Sequence, residues 1–147
     1  MTTNTKTSGL TVRDAMTESP YALSVRSDLA QLYDLMETKS IRHVPITDDD
    51  ERLVGLVTHR DLLRGTLSGA EGLPLSMQRE VLMRHKVRDI MISNPETTDP
   101  ETDLKTAGAV IYENKFGCLP VLEGERLVGI LTEADFVRLV VDRVDSL

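Results

Sequence analysis

The chain has 147 residues, of which 40% are apolar and 28% are charged. A domain of this size buries about 68–70% of the surface that its extended chain exposes, so a core can form without a disulfide or a metal. The 24 acidic and 17 basic residues give a net charge of −7, which disfavours nucleic acid as a main partner. A single cysteine and the lack of an apolar run of about 18 residues predict a cytoplasmic protein without membrane insertion.

The chain opens with a polar stretch, residues 1–11, which we expect to be disordered or extended. A short extended segment is predicted at residues 22–25. Ser27 is predicted to cap the helix that follows, in which apolar residues recur at the i, i+3, i+4, i+7 spacing of one helical face. These apolar residues are Leu29, Leu32, Tyr33 and Met36.

Two apolar, β-prone runs follow this helix and are joined by an acidic turn. The runs cover residues 44–47 and 53–57. A second helix is predicted to begin at His59. Small residues at 65–72 indicate a linker, and residues 75–85 have the pattern of a short helix.

The second half of the chain repeats the first half. Residues 12–16, Val-Arg-Asp-Ala-Met, return 75 positions later as Val-Arg-Asp-Ile-Met at residues 87–91. Residues 52–61 return 74 positions later at residues 126–135. An internal repeat of this kind indicates a duplicated structural unit, even before the single helices and strands are assigned. The chain is therefore predicted to hold two copies of one unit.

The repeat also sets the predicted domain boundaries. The first domain covers residues 12–67, the second covers residues 87–147, and a linker with a short helix occupies residues 68–86. The second copy has the same order of elements: a helical face of Leu104, Ala107, Gly108 and Ile111, β-prone runs at residues 119–122 and 127–131, and a helix from Glu133.

Each copy is too small to bury both faces of its sheet unaided, so the two copies are expected to pack on each other. The last helix is apolar nearly all round, and a homodimer would bury its remaining face. Its apolar residues are Phe136, Val137, Leu139, Val140, Val141 and Val144.

These motifs resemble those of the cystathionine-β-synthase (CBS) domain family. The resemblance lies in residues 12–16, 41–46 and 53–61 of the first copy and in residues 116–121 and 127–135 of the second. It implies an α/β fold of the α+β type, with two tandem β-α-β-β-α repeats packed with pseudo-two-fold symmetry. It also implies clefts for adenosine-containing ligands and a regulatory action on an enzyme, channel or transporter that another chain supplies.

A Thr-x-x-Asp pattern follows the last strand of each copy, at Thr58 and Asp61 and again at Thr132 and Asp135. There a carboxylate can accept both hydroxyls of a ribose while the threonine hydroxyl faces a phosphate, the roles that the resemblance implies. The same spacing is close to a capping box, in which the two residues only fasten the start of a helix. Replacing the aspartate by Ala separates the two interpretations, because loss of a pure cap costs about 1 kcal/mol and leaves affinity unchanged.

Basic residues are shared unequally between the copies. The first copy offers Arg42, His43, His59 and Arg60, and the planar fork of an arginine can hold a phosphate through two hydrogen bonds. We therefore expect two inequivalent clefts, of which at most one binds strongly. The alternatives are that these arginines are merely solvated and that His43 is a packed edge residue. At the matching positions the second copy has Gly117, Cys118, Glu133, which would repel a phosphate, and Ala134, and its nearest base is Lys115.

The base of a nucleotide needs an apolar slot, which the resemblance puts near the first strand of each copy. Tyr21 either stacks on a base or covers the core. The candidate residues are Pro20, Tyr21 and Ala22 in the first copy, next to Ser19, and Pro95 in the second, next to Asn94, Glu96 and Thr97.

Catalytic and metal sites are not expected. Neither copy supplies a nucleophile with a partnered base, and Cys118 is interpreted as a small core residue. The three histidines lack metal-ligand spacing, and the acidic residues 48–51 lack the residue order of a calcium loop.

The first functional hypothesis is a cytoplasmic homodimeric sensor that binds AMP, ADP or ATP as a regulatory ligand, has no obligatory cofactor and acts on a protein partner in trans. The second is a dimerisation and interaction module with vestigial clefts. S-adenosylmethionine and NAD(H) are the alternative adenosine ligands. An enzyme acting on a nucleotide is a third hypothesis, for which no residue is a candidate.

Overall fold

The computed structural model of the chain describes residues 9–67 and 78–143. Predictions for residues 1–8, for the linker residues 68–77 and for Val144 lie outside these ranges. The chain divides into two compact units. The middle unit is Tyr21–Pro95, and the terminal unit combines Met1–Pro20 with Glu96–Leu147.

The described elements alternate as the repeat predicts. In chain order they are α1 (Val12–Ala15), β1 (Thr17–Glu18), β2 (Leu23–Ser24), α2 (Leu29–Lys39), β3 (His43–Thr47), β4 (Leu53–Thr58), α3 (His59–Leu67), α4 (Arg79–Met83), a 3₁₀ turn (Val87–Asp89), β5 (Ile92–Ser93), α5 (Leu104–Asn114), β6 (Cys118–Glu123), β7 (Arg126–Thr132) and α6 (Glu133–Asp142). The predicted strands and the starts of α3 and α6 are confirmed.

Each unit is built on a small mixed or antiparallel sheet. In the middle unit the strand order is β2-β3-β4-β5, in which β2 and β3 are parallel and the other pairs antiparallel. In the terminal unit the order is β1-β7-β6, with both pairs antiparallel. An isolated parallel bridge from Thr98 to Val121 stands where the middle unit has β2.

The short strand that opens each sequence repeat pairs with the body of the other repeat. β1 of the first repeat pairs with β7, where Thr17 lies opposite Ile130. β5 of the second repeat pairs with β4, where Ile92 lies opposite Leu56 in the matching register. The compact units therefore have different bounds from the sequence repeats at residues 12–67 and 87–147.

Two glycines allow these strands to approach closely. A Cβ on Gly129 would stand 2.7 Å from Sδ of Met16 and 3.1 Å from the carbonyl oxygen of Thr17. A Cβ on Gly55 would overlap Sδ of Met91 in the same way. The Leu-Val-Gly motif of each repeat is thus the surface on which the Asp-x-Met segment of the other repeat packs.

Helix α2 begins one residue later than predicted. Oδ1 of Asp28 accepts a hydrogen bond from the Gln31 backbone N–H at 2.8 Å, and Oε1 of Gln31 accepts one from the Asp28 N–H at 2.9 Å. The prediction that Ser27 caps this helix is therefore wrong, because Asp28 and Gln31 form the capping box. The predicted apolar face is otherwise confirmed: Leu29, Leu32 and Met36 are buried in the middle unit's core.

The small residues at 65–67 do not begin a linker, because α3 continues to Leu67. The last helix is also less buried than its composition suggests. Phe136 and Leu139 pack against the core of the terminal unit, whereas Val137, Val140 and Val141 are 62%, 59% and 61% exposed. Within the described ranges, no helix is both long enough and apolar enough to cross a membrane.

Candidate functional site

The first Thr-x-x-Asp pattern lies where β4 passes into α3, and we call this region the middle corner (Arg42, His43 and 58–61). The Thr58 backbone N–H donates to Oδ2 of Asp61 at 2.9 Å, and the Thr58 hydroxyl donates to the same oxygen at 2.9 Å. The Asp61 N–H donates back to the Thr58 hydroxyl oxygen at 3.2 Å. The capping interpretation of this pair is therefore confirmed.

Capping uses only half of the Asp61 carboxylate. A carboxylate has about four lone-pair positions on its two oxygens. Oδ2 takes both donors from Thr58, while Oδ1 accepts no hydrogen bond from any residue in the described part of the chain. The half-buried Asp61 thus has one oxygen, with about two acceptor positions, that no described residue fills.

The predicted cations of the first copy are brought to this corner by the sheet. His43 lies opposite Thr58 in the β3–β4 pair, and the His59 backbone N–H donates to the Arg42 carbonyl at 2.9 Å. The side chains of Arg42 and Arg60 are exposed, and His43 is half-buried. The corner therefore combines an open carboxylate oxygen with exposed positive charge on the two adjoining segments.

The second Thr-x-x-Asp pattern lies where β7 passes into α6, and we call this region the terminal corner (132–135). Its backbone has the same strand register and hydrogen bond as the middle corner. Cys118 lies opposite Thr132, and the Glu133 N–H donates to the Gly117 carbonyl at 3.3 Å. Oδ2 of Asp135 accepts the Thr132 N–H at 2.8 Å and the Thr132 hydroxyl at 3.3 Å. The cap is again confirmed.

Asp135 differs from Asp61 in having both oxygens occupied. The Thr17 hydroxyl donates to Oδ1 of Asp135 at 3.2 Å, and the Arg138 guanidinium pairs with the same oxygen at 3.0 Å. The same arginine also donates to the Ala15 carbonyl at 3.1 Å. Asp135 is only 2% exposed, and both of its oxygens have partners from within the chain.

The charge around the terminal corner also follows the sequence difference. Glu133 and Ala134 are exposed at the start of α6, where the first copy has His59 and Arg60. Lys115, the nearest predicted base, is the exposed left-handed residue that ends α5. This corner therefore has an exposed acid, Glu133, at the position of His59 and an uncharged residue, Ala134, at the position of the exposed Arg60.

The predicted base-binding residues lie where the chain passes between units. Pro20 and Ala22 are half-buried, and Tyr21 is 51% exposed with the Lys39 ammonium 5.1 Å from its ring centre. The interpretation that Tyr21 covers the core is thus wrong. Pro95 is half-buried at the end of the middle unit.

Sequence reasoning missed Thr17, Arg138 and Ile92. Thr17 and Arg138 complete the terminal corner, and Ile92, which is 48% exposed, takes the register position of Thr17 in the middle unit. The 75-residue offset already paired Thr17 with Ile92, but only the exchange of strands brings Thr17 to Asp135 and Ile92 to the matching register position. No local pattern carries that information.

Cys118 is confirmed as a core residue. It is 4% exposed in β6, and burial raises the pKa of its thiol to about 12. A thiol with this pKa stays protonated at neutral pH and is a weak nucleophile. Within the described ranges, no cluster of three or more His, Cys, Asp or Glu side chains could hold a metal ion.

A sequence profile of the CBS domain matches the chain twice, at residues 12–67 and 87–142. The chain belongs to the CBS domain family. Among solved structures, this CBS pair is similar to a putative acetoin utilization protein (AcuB) from Vibrio cholerae, with a TM-score of 0.80 and 32% identity, covering 92% of this chain and 93% of the other. It is also similar to CBSX2 crystallised in complex with AMP, with a TM-score of 0.77 and 28% identity, covering 91% of this chain and 98% of the other.

Relatives of similar and of greater length are both found. A CBS domain-containing protein of Dictyostelium discoideum is 30% identical over 131 residues, which are 88% of this chain and 90% of that protein. An uncharacterized protein of Methanocaldococcus jannaschii is 30% identical over 87% of this chain, which spans 42% of that relative. In the inosine-5'-monophosphate dehydrogenase of the same organism, which is 26% identical, the chain spans 23% of the length.

Proposed function

We propose that this CBS pair is a regulatory sensor that binds an adenine nucleotide at the middle corner and acts on a protein partner in another chain. The observation that carries the proposal is the open Oδ1 of Asp61, flanked by exposed Arg42 and Arg60. The AMP complex of CBSX2, at 28% identity over nearly the whole chain, supports the choice of ligand.

The chemistry of the corner suits the two ends of a nucleotide. A ribose offers two adjacent hydroxyl donors, and Oδ1 of Asp61 has about two acceptor positions for them. A phosphate needs charge-assisted donors, which Arg42 and Arg60 supply as planar forks on adjoining segments. Ile92, on the strand next to β4, offers an exposed apolar surface on which the nucleotide's base can lie.

Regulation follows if the ligand prefers one arrangement of the protein. A nucleotide shifts a conformational equilibrium only by its difference in affinity for the two states. The partner would read that shift as a change in the surface it contacts. AMP, ADP and ATP share the ribose contact and differ only in the charge presented to the arginines.

We infer that the working form is a homodimer that buries the exposed face of α6. Val137, Val140 and Val141 share this face at the i, i+3, i+4 spacing, and each is more than half exposed. A second copy presents the same apolar surface, as a two-fold interface requires. Val141→Glu is expected to give a monomer in light scattering, whereas Arg143→Glu, at the exposed end of the helix, should leave the mass unchanged.

Calorimetric titration with AMP and adenosine tests the ligand site. Asp61→Asn removes charge from the ribose acceptor and should weaken both ligands by about tenfold or more, since a hydrogen bond to a charged group contributes about 1.5–3 kcal/mol. Asp89→Asn is the matched control, because Asp89 also accepts a backbone N–H from three residues earlier, in the 3₁₀ turn of the same unit.

The phosphate contact is tested separately from the ribose contact. Arg42→Ala should weaken AMP more than adenosine, and Arg88→Ala, another exposed arginine of the middle unit, should affect neither ligand. Equal losses for both ligands would reject the phosphate role of Arg42. Binding of S-adenosylmethionine or NADH in place of AMP would support the alternative ligands.

A second candidate function is an interaction module whose ligand corners are vestigial. The filled carboxylate of Asp135 favours this candidate for the terminal unit. It predicts that no adenosine ligand raises the melting temperature, whereas a site with ligand at a hundredfold excess over Kd would stabilise the fold by about 2.7 kcal/mol.

A further inference from the structure

The terminal corner has the Thr-x-x-Asp residues expected of a nucleoside acceptor, but side chains of the same chain occupy the oxygens of its aspartate. We propose that Thr17 and Arg138 close this corner by occupying Oδ1 of Asp135, and that Ile92, at the position of Thr17, leaves the middle corner open. This inference rests on the proposed function in taking the aspartate of an open corner as the acceptor of a ribose diol. It makes residue 17, outside either Thr-x-x-Asp motif, the residue that decides how many ligands the chain binds.

The two partners of Oδ1 carry the argument. Oδ1 of Asp135 accepts a hydrogen bond from the Thr17 hydroxyl at 3.2 Å and forms an ion pair with the Arg138 guanidinium at 3.0 Å, and these two groups stand where two ribose hydroxyls would approach. A ribose at this corner would have to displace the Arg138 ion pair and the Thr17 hydrogen bond before its own hydroxyls could reach Oδ1, and it would therefore gain little. Arg138 would also lose its position over the Ala15 carbonyl, 3.1 Å away.

The two corners differ at one of the two closing positions. Thr17 lies opposite Ile130 as Ile92 lies opposite Leu56, so the two side chains occupy matching places in their sheets. Isoleucine has no donor for Asp61. Arg64 matches Arg138 along the repeat, yet in the described part of the chain no ion pair joins Arg64 to Asp61. The arginine is thus bound to the aspartate in the corner that has the Thr17 hydroxyl, and not in the corner that has Ile92 in its place.

Burial agrees with this assignment. Asp135 is 2% exposed, while Asp61 is half-buried in an otherwise equivalent cap. The difference does not come from the caps, because both aspartates accept the backbone N–H and the hydroxyl of the threonine three residues earlier. It comes from the second oxygen alone.

The experiment counts binding sites for adenosine, which lacks a phosphate and is not repelled by Glu133. The wild-type chain should bind one adenosine per chain. Thr17→Val combined with Arg138→Met frees both acceptor positions on Asp135, and the double variant should bind two. Hydrogen exchange at the Ser19 N–H, which donates to the Val128 carbonyl at 3.3 Å, checks whether β1 has loosened.

Matched controls remove the same groups elsewhere in the terminal unit. Thr106→Val on the exposed side of α5 and Arg143→Met at the end of α6, combined in one chain, should keep one site. A double variant that folds by circular dichroism but gains no site overturns the proposal. Absence of binding to the wild-type chain overturns the proposed function alone, and a site gained in the double variant would still support the closure.

The reverse substitution keeps the test decisive if the double variant fails to fold. Ile92→Thr places a hydroxyl beside Oδ1 of Asp61, and we expect adenosine affinity at the middle corner to fall about tenfold, because the new donor competes with the ribose. Ile92→Val removes a similar volume without adding a donor and should change affinity by less than about threefold. Equal effects of the two variants would contradict the closing role of the hydroxyl.

Discussion

At the scale of single residues, the two aspartates show how the same local chemistry is given different roles by distant neighbours. Asp61 and Asp135 form the same cap with the threonine three residues earlier. Thr17, which is 118 residues from Asp135 in the chain, makes the difference. A residue's role at such a corner is therefore set by a strand from the other sequence repeat.

This difference predicts unequal stability losses. Asp61→Ala should lower the free energy of unfolding by about 1 kcal/mol, the contribution of a cap. Asp135→Ala should lower it by about 2 kcal/mol, because it also leaves the Thr17 hydroxyl without its acceptor and removes the ion pair of the half-exposed Arg138. Urea unfolding measures both, and equal losses would contradict the filled state of Asp135.

A second prediction concerns Cys118 and alkaline pH. The thiol would lose its proton near pH 9.0 in the unfolded chain, whereas burial raises its pKa to about 12 in the folded one. Its contribution to stability is complete below pH 9 and is lost as pH rises, because the unfolded chain then binds fewer protons than the folded chain. The stability difference between wild type and Cys118→Ala should fall by about 1.4 kcal/mol per pH unit above 9. A constant difference from pH 8 to 10.5 in urea unfolding would contradict the burial of the thiol.

At the scale of elements, the repeated glycine of the Leu-Val-Gly motif is explained by a strand that crosses it. Gly129 faces the Met16 side chain and the Thr17 backbone, and Gly55 faces Met91 and the Ile92 backbone. A methyl group at either position would separate the strands that the Asp-x-Met segments form. Two motifs that look independent in the sequence are therefore the two sides of one contact.

This contact predicts the effect of adding a methyl group. Gly129→Ala should destabilise the chain by about 1–3 kcal/mol, the usual cost of overpacking a core. Part of the loss should be recovered in a background with Met16→Ala, because the new Cβ meets Sδ of Met16 at 2.7 Å. A double-mutant cycle in urea measures this coupling, and strictly additive losses would reject the contact.

Most of the elements could be predicted from the sequence, because apolar periodicity and β-prone runs are local properties. The error at Ser27 came from two adjacent residues that both cap well, between which Gln31 decides by completing the box with Asp28. The capping role of the Thr-x-x-Asp pairs was also predictable. The partners of Asp135 were not, since the pairing of β1 with β7 has no local signal.

At the scale of the whole molecule, the boundaries of the sequence repeats differ from the boundaries of the compact units. The first repeat's opening residues Val12, Ala15 and Met16 are buried in the terminal unit's core. Val87, which opens the second repeat, is buried in the core of the middle unit. Each unit is thus completed by about ten residues from the other repeat's start.

This exchange predicts which fragments fold. A fragment of residues 21–95 keeps the whole middle-unit core and should unfold cooperatively in urea. A fragment of residues 12–86 has the same length but lacks Val87 and β5, and it carries α1 and β1 without their partners. It should show a lower midpoint or no transition at all, and equal midpoints would contradict the exchange.

The pairing of β1 with β7 also has a consequence for how the chain is made. Ribosomes add about 5–20 residues per second, so the 118 residues between Thr17 and Asp135 take about 6–24 s to synthesise. Throughout that interval the earliest strand has no edge to join, while the middle unit is complete once Pro95 has emerged. β1 is therefore made well before the strand that it pairs with, and a nascent chain must keep Val12 and Met16 from wrong contacts until β7 has been synthesised.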